Sequence, residues 1–325
     1  MVDEYLAKQR ETEVEEAIAA AEAPLGRRLA AEFFGTLLFV AVGTGAATVL
    51  AMGPIQRLSE LLAIEGFGQG DNPRVFGALL GTGTATISEL LPVAFAFAAI
   101  LATLVYALGG VSGAHFNPAV TFALAVGRRF RWQDVPLYWV VQVLGGIAGA
   151  FIVSGIYGDL GAKIDDVDIL YGATTVAGNV EFWQALLAEA FIAFVLVTAI
   201  MAVAIDPRAP KGWSGWIIGL SLAAGILVTA QATGGSANFA RSLGPFVASL
   251  PRDVGSIPWS DLIVYAIGPL IGASAAVLIY ETVTGLELIS PAPSPGAATP
   301  AVDAVVVTEV DETPDTTTPP GGTTT

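Results

Sequence analysis

Gly113-Ala114-His115-Phe116-Asn117-Pro118-Ala119 and Gly235-Ser236-Ala237-Asn238-Phe239-Ala240-Arg241 are the two stretches that decide how this chain folds. Each follows an apolar run long enough to cross a bilayer, and each is followed by only about ten more apolar residues. Ten residues of helix rise roughly 15 Å, half of a hydrocarbon core of roughly 30 Å. Two such half-helices entering from opposite faces would meet at the midplane and complete one more crossing. Their N-termini would face each other, each with orphan N–H groups and a positive dipole end. Asn at each start is a strong N-cap residue. That arrangement makes sense only if it lines a water-filled cavity, because irregular backbone is not tolerated against lipid.

Composition agrees with a chain that crosses the membrane several times. Of its 325 residues 54% are hydrophobic and 13% charged, and mean hydropathy is +0.68. Length alone would allow two soluble domains, but repeated apolar runs of around twenty residues overrule that reading. Six full spans are expected near 29–51, 90–109, 136–157, 183–205, 213–232 and 260–283, with short helices near 117–126 and 238–248. The fold class is therefore an all-α membrane protein with six transmembrane helices and two re-entrant half-helices.

An internal repeat organises these elements. The first span opens Ala31-Glu32-Phe33 and the fourth Ala188-Glu189-Ala190-Phe191; each half then has a second span, an Asn-x-Ala half-helix and a third span. Three spans per half place the halves in opposite orientation. Glu32 precedes Asn117 by 85 residues but Glu189 precedes Asn238 by only 49, so the first half carries an enlarged first loop, about 52–89. The channel-forming part is expected over 27–285. It is flanked by a charged extension over 1–26 and by a Pro/Thr-rich tail over 286–325, too poor in apolar surface to fold.

The net charge of −15 is made largely at the ends, by residues such as Glu11, Glu13, Glu15, Glu16, Asp311 and Glu312. It argues against nucleic acid as a partner. The first two dozen residues lack the basic n-region of a signal peptide. There is no cysteine and only one histidine, which rules out a thiolate or His-cluster metal site. No cofactor, nucleophile–base set or phosphate loop is expected, and so no enzyme. The absence of an Asn-x-Ser/Thr sequon is compatible with a prokaryotic source. Arg27, Arg28, Arg128, Arg129, Arg131, Arg208 and Lys211 fall on one side; Arg57, Arg74, Lys163 and Arg252 fall on the other. That bias places both termini in the cytoplasm, with the plasma or inner membrane as location.

Ser112-Gly113-Ala114-His115-Phe116-Asn117-Pro118-Ala119-Val120-Thr121 and Asn238-Phe239-Ala240-Arg241-Ser242-Leu243-Gly244-Pro245 resemble the two signature loops of the aquaporin and glycerol-facilitator (major intrinsic protein) family. Supporting matches are Ala31-Glu32-Phe33-Phe34-Gly35-Thr36 and Gly268-Pro269. The resemblance implies a homotetramer with one pore per protomer, passing water and small uncharged solutes through the lipid bilayer. Asn117 and Asn238 would offer amide donors to water at the midplane. The helix dipoles behind them would repel cations, as in aquaporin-type pores generally. Plain capping is the alternative role for either Asn, and the two roles are compatible.

Arg241, an intramembrane arginine and so a functional candidate by default, would by resemblance belong to the narrow outer filter. Counting from the motifs adds Phe97, Ile226 and Gly235. Core packing is the alternative for Phe97 and Ile226, and anchoring to loop carbonyls is the alternative for Arg241. The pattern departs from both standard types. Water-selective relatives usually carry His where this chain has Ile226. Glycerol facilitators usually carry Trp and Gly in the two spans and Asp after the arginine, where this chain has Phe97, Ile226 and Ser242. Phe239 stands where proline is usual, and its ring is a candidate for a second constriction at the midplane.

Glu32 and Glu189 are expected to accept hydrogen bonds from the loops, with proton coupling as the alternative. His115 is expected to hold its loop or border the pore. Gly145 and Gly149, and Gly268 and Gly272, form small-xxx-small pairs in spans three and six that suit close helix crossing, and the resemblance implies that those two spans lie against each other. The leading function is a passive water channel with leakage of small uncharged solutes. The alternatives are a glycerol or small neutral solute facilitator, a secondary transporter and a non-conducting membrane scaffold.

Overall fold

The computed structural model describes residues 23–62, 87–164, 167–210 and 212–286. Eight α-helices follow in chain order: α1 Leu25–Leu62, α2 Ile87–Ser112, α3 Pro118–Val126, α4 Val135–Tyr157, α5 Phe182–Ile200, α6 Ser214–Thr233, α7 Phe239–Ser249 and α8 Leu262–Thr284. Among the described residues six helical stretches are long and apolar enough to span a membrane, and α3 and α7 are the two short helices. A π-turn, Met201–Ile205, continues α5. Between α4 and α5 the chain forms a two-residue hairpin, β1 Lys163–Ile164 against β2 Val167–Asp168, flanked by 3₁₀ turns.

Local chemistry sets the ends. Asn117 and Asn238 hold extended backbone and cap α3 and α7 with their side-chain oxygens. Glu181 and Gln184 cap α5 reciprocally. Gly234, in a left-handed conformation, stops α6 just before the second loop. One boundary differs from expectation. The first span does not end near 51; its backbone stays helical through Gly53-Pro54 to Leu62, so part of the expected first loop is helix. Ile55–Leu62 is made of residues that tolerate helix well, and proline is tolerated in membrane helices. Residues 63–86 of that loop, residues 1–22 and residues 287–325 lie outside the described residues, and 87–89 already belong to α2.

Side-chain exposure is inverted relative to a soluble protein. Phe34, Val140, Leu187, Val228 and Ile271 are among many large apolar residues facing outward, while Glu32, Gln142, Glu189 and Arg241 are buried. This pattern suits a lipid environment outside and a polar path inside.

The glycine pairs correct one expectation. A Cβ on Gly145 or Gly149 would collide with the backbone carbonyls of Phe33 or Leu37 in α1. A Cβ on Gly268 would sit 2.8 Å from Glu189 Cβ in α5, and one on Gly272 would collide with the Ala190 carbonyl. The small residues therefore pair spans within each half, α4 on α1 and α8 on α5, rather than span three on span six. Between halves α2 packs along α6, where a Cβ on Gly219 would collide with the Ala98 carbonyl, and the half-helices make further contacts. Gly146 of α4 lies against Ala240 of α7, and Gly127, just after α3, lies against Val277 of α8. Each half-helix thus docks on the last span of the opposite half.

Candidate functional site

The two loops preceding α3 and α7 adopt the same backbone. Gly113, Ala114 and Phe116 have φ of 91°, 54° and 50°; Gly234, Gly235 and Ala237 have 77°, 64° and 55°. Three of these six carry side chains, and each non-glycine residue in the left-handed region costs roughly 1–2 kcal/mol. The strain is held by a buried carboxylate in each half. Glu32 Oε1 accepts from Ser112 Oγ (2.7 Å) and the His115 N–H (2.9 Å); its Oε2 accepts from the Phe116 N–H (2.7 Å) and Gln142 Nε2 (2.8 Å). Glu189 Oε1 accepts from Thr233 Oγ1 (2.6 Å) and the Ser236 N–H (3.0 Å); its Oε2 accepts from the Ala237 N–H (2.7 Å). Tyrosines close the same cradle. Tyr138 donates to the Ser112 carbonyl at 2.9 Å and Tyr265 to the Thr233 carbonyl at 2.7 Å.

The cradles bring Asn117 and Asn238 together. Asn117 Oδ1 accepts from the Ala119 N–H (2.9 Å), while its Nδ2 donates to the Ala237 carbonyl of the opposite loop (2.8 Å). Asn238 Oδ1 accepts from the N–H groups of Ala240 (3.0 Å) and Arg241 (3.4 Å), and its Nδ2 donates to the Phe116 carbonyl (2.8 Å). Each amide nitrogen carries two hydrogens. One crosslinks the halves. Pro118, Ala119 and Ala240 are buried beside them, and Phe239 is half-buried. Phe239 keeps the N–H that proline lacks, yet α7 still begins there, because the Asn238 cap supplies the start.

The four residues counted toward the outer filter fall in two contacting pairs. Arg241 lies with its guanidinium carbon 5.0 Å from the Phe97 ring centroid, and its Nη1 donates to the Gly172 carbonyl at 3.2 Å. Gly235 lies against Ile226, where an added Cβ would stand 3.1 Å from the Ile226 Cα. All four are within or bordering the buried interior. His115 is buried; its Nδ1 lies 3.0 Å from Thr121 Oγ1, and its ring meets those of Phe130 and Tyr138. It therefore braces the first loop. Gln142 bridges Glu32 and the same Thr121 hydroxyl.

Sequence reasoning did not find several members of this site. Gly172 belongs to the segment between α4 and α5. There Leu170, Tyr171 and Gly172 all take left-handed φ, and the carbonyl of Gly172 reaches Arg241. Thr174 Oγ1 lies 2.7 Å from Ser242 Oγ, and Asp168 accepts from the N–H groups of Gly255 and Ser256, so this segment is strapped onto the second half-helix and its following loop. Nothing in the local sequence marks that strap. Gly43 is another: a Cβ there would collide with the Phe97 ring, so its bareness seats the ring. The tyrosines could have been found, since Tyr138 and Tyr265 occupy equivalent places in the third span of each half. No group of three or more His, Asp or Glu that could hold a metal occurs among the described residues.

The architecture is that of a polytopic membrane protein whose two inverted halves meet through capped half-helices. The model of the major intrinsic protein family matches residues 20–280, and the chain belongs to that family. It is 37% identical over 261 residues to aquaporin AqpM of Methanothermobacter thermautotrophicus, covering 80% of this chain and 98% of that protein. It is 35% identical over 257 residues to the probable aquaporin AqpM of Archaeoglobus fulgidus (79% and 96% covered) and 31% identical over 266 residues to aquaporin NIP3-1 of Zea mays (82% and 73%). Among solved structures, the aquaglyceroporin from Plasmodium falciparum shares the fold with a TM-score of 0.61 at 20% identity, covering 80% of this chain and 97% of that one.

Proposed function

We infer that this chain is a passive transmembrane channel for water, with leakage of small uncharged solutes. The observation that carries the reading is the reciprocal crosslink of Asn117 and Asn238, which fixes two helix N-termini against each other in the interior. Asn117-Pro118-Ala119 and Asn238-Phe239-Ala240 form the midplane motifs, each Asn offering its second amide hydrogen to a permeating oxygen. The positive helix ends and the guanidinium of Arg241 disfavour cations and protons. Phe97, Ile226, Gly235 and Arg241 form the outer selectivity filter. Glu32, Glu189 and His115 are supports. Both oxygens of each glutamate are occupied in holding a loop, which speaks against the ion-coupling role a secondary transporter would need.

The filter favours a second component of flux. Ile226 removes a polar donor and Gly235 contributes no side chain, so the aperture is more apolar than a His-bearing filter and admits small neutral solutes such as glycerol, more slowly than a dedicated facilitator. The channel domain spans 27–285 and assembles as a homotetramer in the cytoplasmic or plasma membrane. Both termini are cytoplasmic, and the terminal segments are outside the conduction path. Paired osmotic water and glycerol flux measurements on purified proteoliposomes test the reading. Water-driven shrinkage several-fold faster than in empty vesicles is expected, without proton current. Shrinkage no faster than in empty vesicles, from well-folded protein, would favour the scaffold.

A further inference from the structure

Four matched positions fix the register between the halves: Glu32 with Glu189, Ser112 with Thr233, Asn117 with Asn238, and Tyr138 with Tyr265. In that register Pro118 corresponds to Phe239, and Trp139 to Ala266. In the first half the small residue is on the half-helix and the large one on the span. Pro118 is buried, and Trp139 Nε1 donates to its carbonyl at 2.9 Å. In the second half the order is reversed, with a large residue on the half-helix and a methyl group on the span. A comparable reversal occurs two residues earlier. The Phe116 ring lies on Gly35, whose added Cβ would collide with it, whereas the corresponding pair is Ala237 and Ile192. Phe239 is half-buried between two buried neighbours, Asn238 and Ala240, and Ala266 is half-buried as well. Interiors are close-packed, so a void opposite a displaced ring would carry a penalty that an exchange of volume avoids.

We propose that Phe239 and Ala266 form one packing unit, the volume-exchanged counterpart of Pro118 and Trp139. The Phe239 ring sits over Ala266, in the place the first half gives to an indole, and outside the path between the two asparagines. Phe239 is then a positioning residue. It seats the first turn of α7, from which Arg241 projects, and it is not the midplane constriction that its size alone would predict. The flux part of this proposal rests on the channel reading; the packing part does not.

The test is a double-mutant cycle in the full-length chain, reconstituted in proteoliposomes, with Phe239→Pro, Ala266→Trp and the two combined. Thermal midpoint, water permeability per folded protomer and the glycerol-to-water flux ratio are read for each. Ala266→Trp alone should drive the ring toward the path and lower water permeability about fivefold, while the combined variant recovers to within about twofold of the parent. Phe239→Pro alone should lower the thermal midpoint by more than it does in the Ala266→Trp background, without a several-fold rise in water permeability. Additive effects in the cycle, or a several-fold rise in water permeability from Phe239→Pro alone, would overturn the proposal. If Ala266→Trp does not fold, Ala266→Leu with Phe239→Leu carries the same cycle with smaller volume changes. If the parent conducts no water, the channel reading fails, and coupling in the thermal midpoint still decides whether the pair is a unit.

Discussion

The two halves of the molecule share a hydrogen-bond skeleton and differ in almost everything hung on it. In both, a buried glutamate gathers two loop N–H groups and a hydroxyl, a tyrosine holds the carbonyl at the end of the preceding span, and an asparagine caps the half-helix and crosslinks to the other side. Yet the position of Val120 in the first half is that of Arg241 in the second, Gln142 is that of Pro269, and His115 that of Ser236. Arg28, buried on Asp134 and Tyr138 in the first half, is replaced by Ala185 in the second. The difference teaches that the shared polar contacts serve the common task of holding two strained loops against each other in the interior. The unshared side chains give each mouth its own character. The first half is braced by Gln142, His115 and the Arg28 ion pair. The second carries the buried guanidinium of Arg241 and relies on the strap at Gly172 and Thr174.

The comparison can be broken most decisively at the glutamates. Glu32→Gln and Glu189→Gln each turn an amide N–H toward a loop donor and strand it without an acceptor. Each should lower the thermal midpoint by about 5–10 °C, with Glu32→Gln the more damaging because Gln142 also loses one of its two acceptors. Equal or reversed effects, measured on purified protein, would mean that the first cradle is not the stronger one.

Arg241→Val places in the second half the residue that the first half has at Val120. Solute flux should rise several-fold relative to water, because the cation and its contact with Phe97 are lost. An unchanged glycerol-to-water ratio in proteoliposomes would remove Arg241 from the filter. A smaller effect is expected from Gly43→Ala. The added methyl must displace the Phe97 ring, so water permeability should fall while the fold persists. The same substitution at Gly45, where a Cβ has only one neighbour, 3.8 Å away, should be silent.

Ile226→His should lower glycerol flux relative to water, since it narrows the aperture and adds a donor suited to water. If the ratio stays constant in paired stopped-flow measurements, selectivity resides elsewhere. The smallest effect should come from removing residues 1–24 and 290–325, both outside the repeat. Permeability per folded protomer should remain unchanged, and a large loss without unfolding would make a terminal segment part of a gate.

The repeat, the number of spans, the half-helices and the two capping asparagines were legible in the chain itself. Their signals are local: apolar runs of membrane length, a cap residue before a short helix, a carboxylate at a fixed place in each half. Ends of helices were legible to within a few residues wherever a cap or glycine marks them, as at Asn117, Glu181 and Gly234, and failed at Gly53-Pro54, where proline does not break a membrane helix. Packing partners were not legible. Gly145 and Gly268 announce close helix approach but not which helix approaches, since a small residue makes room without choosing its neighbour; the tertiary structure assigns them to α1 and α5. The Gly172 carbonyl on Arg241 and the seat for Phe97 at Gly43 were decided only in three dimensions. A backbone oxygen carries no sequence signature, and the place it occupies depends on how the whole strap is turned by three left-handed residues.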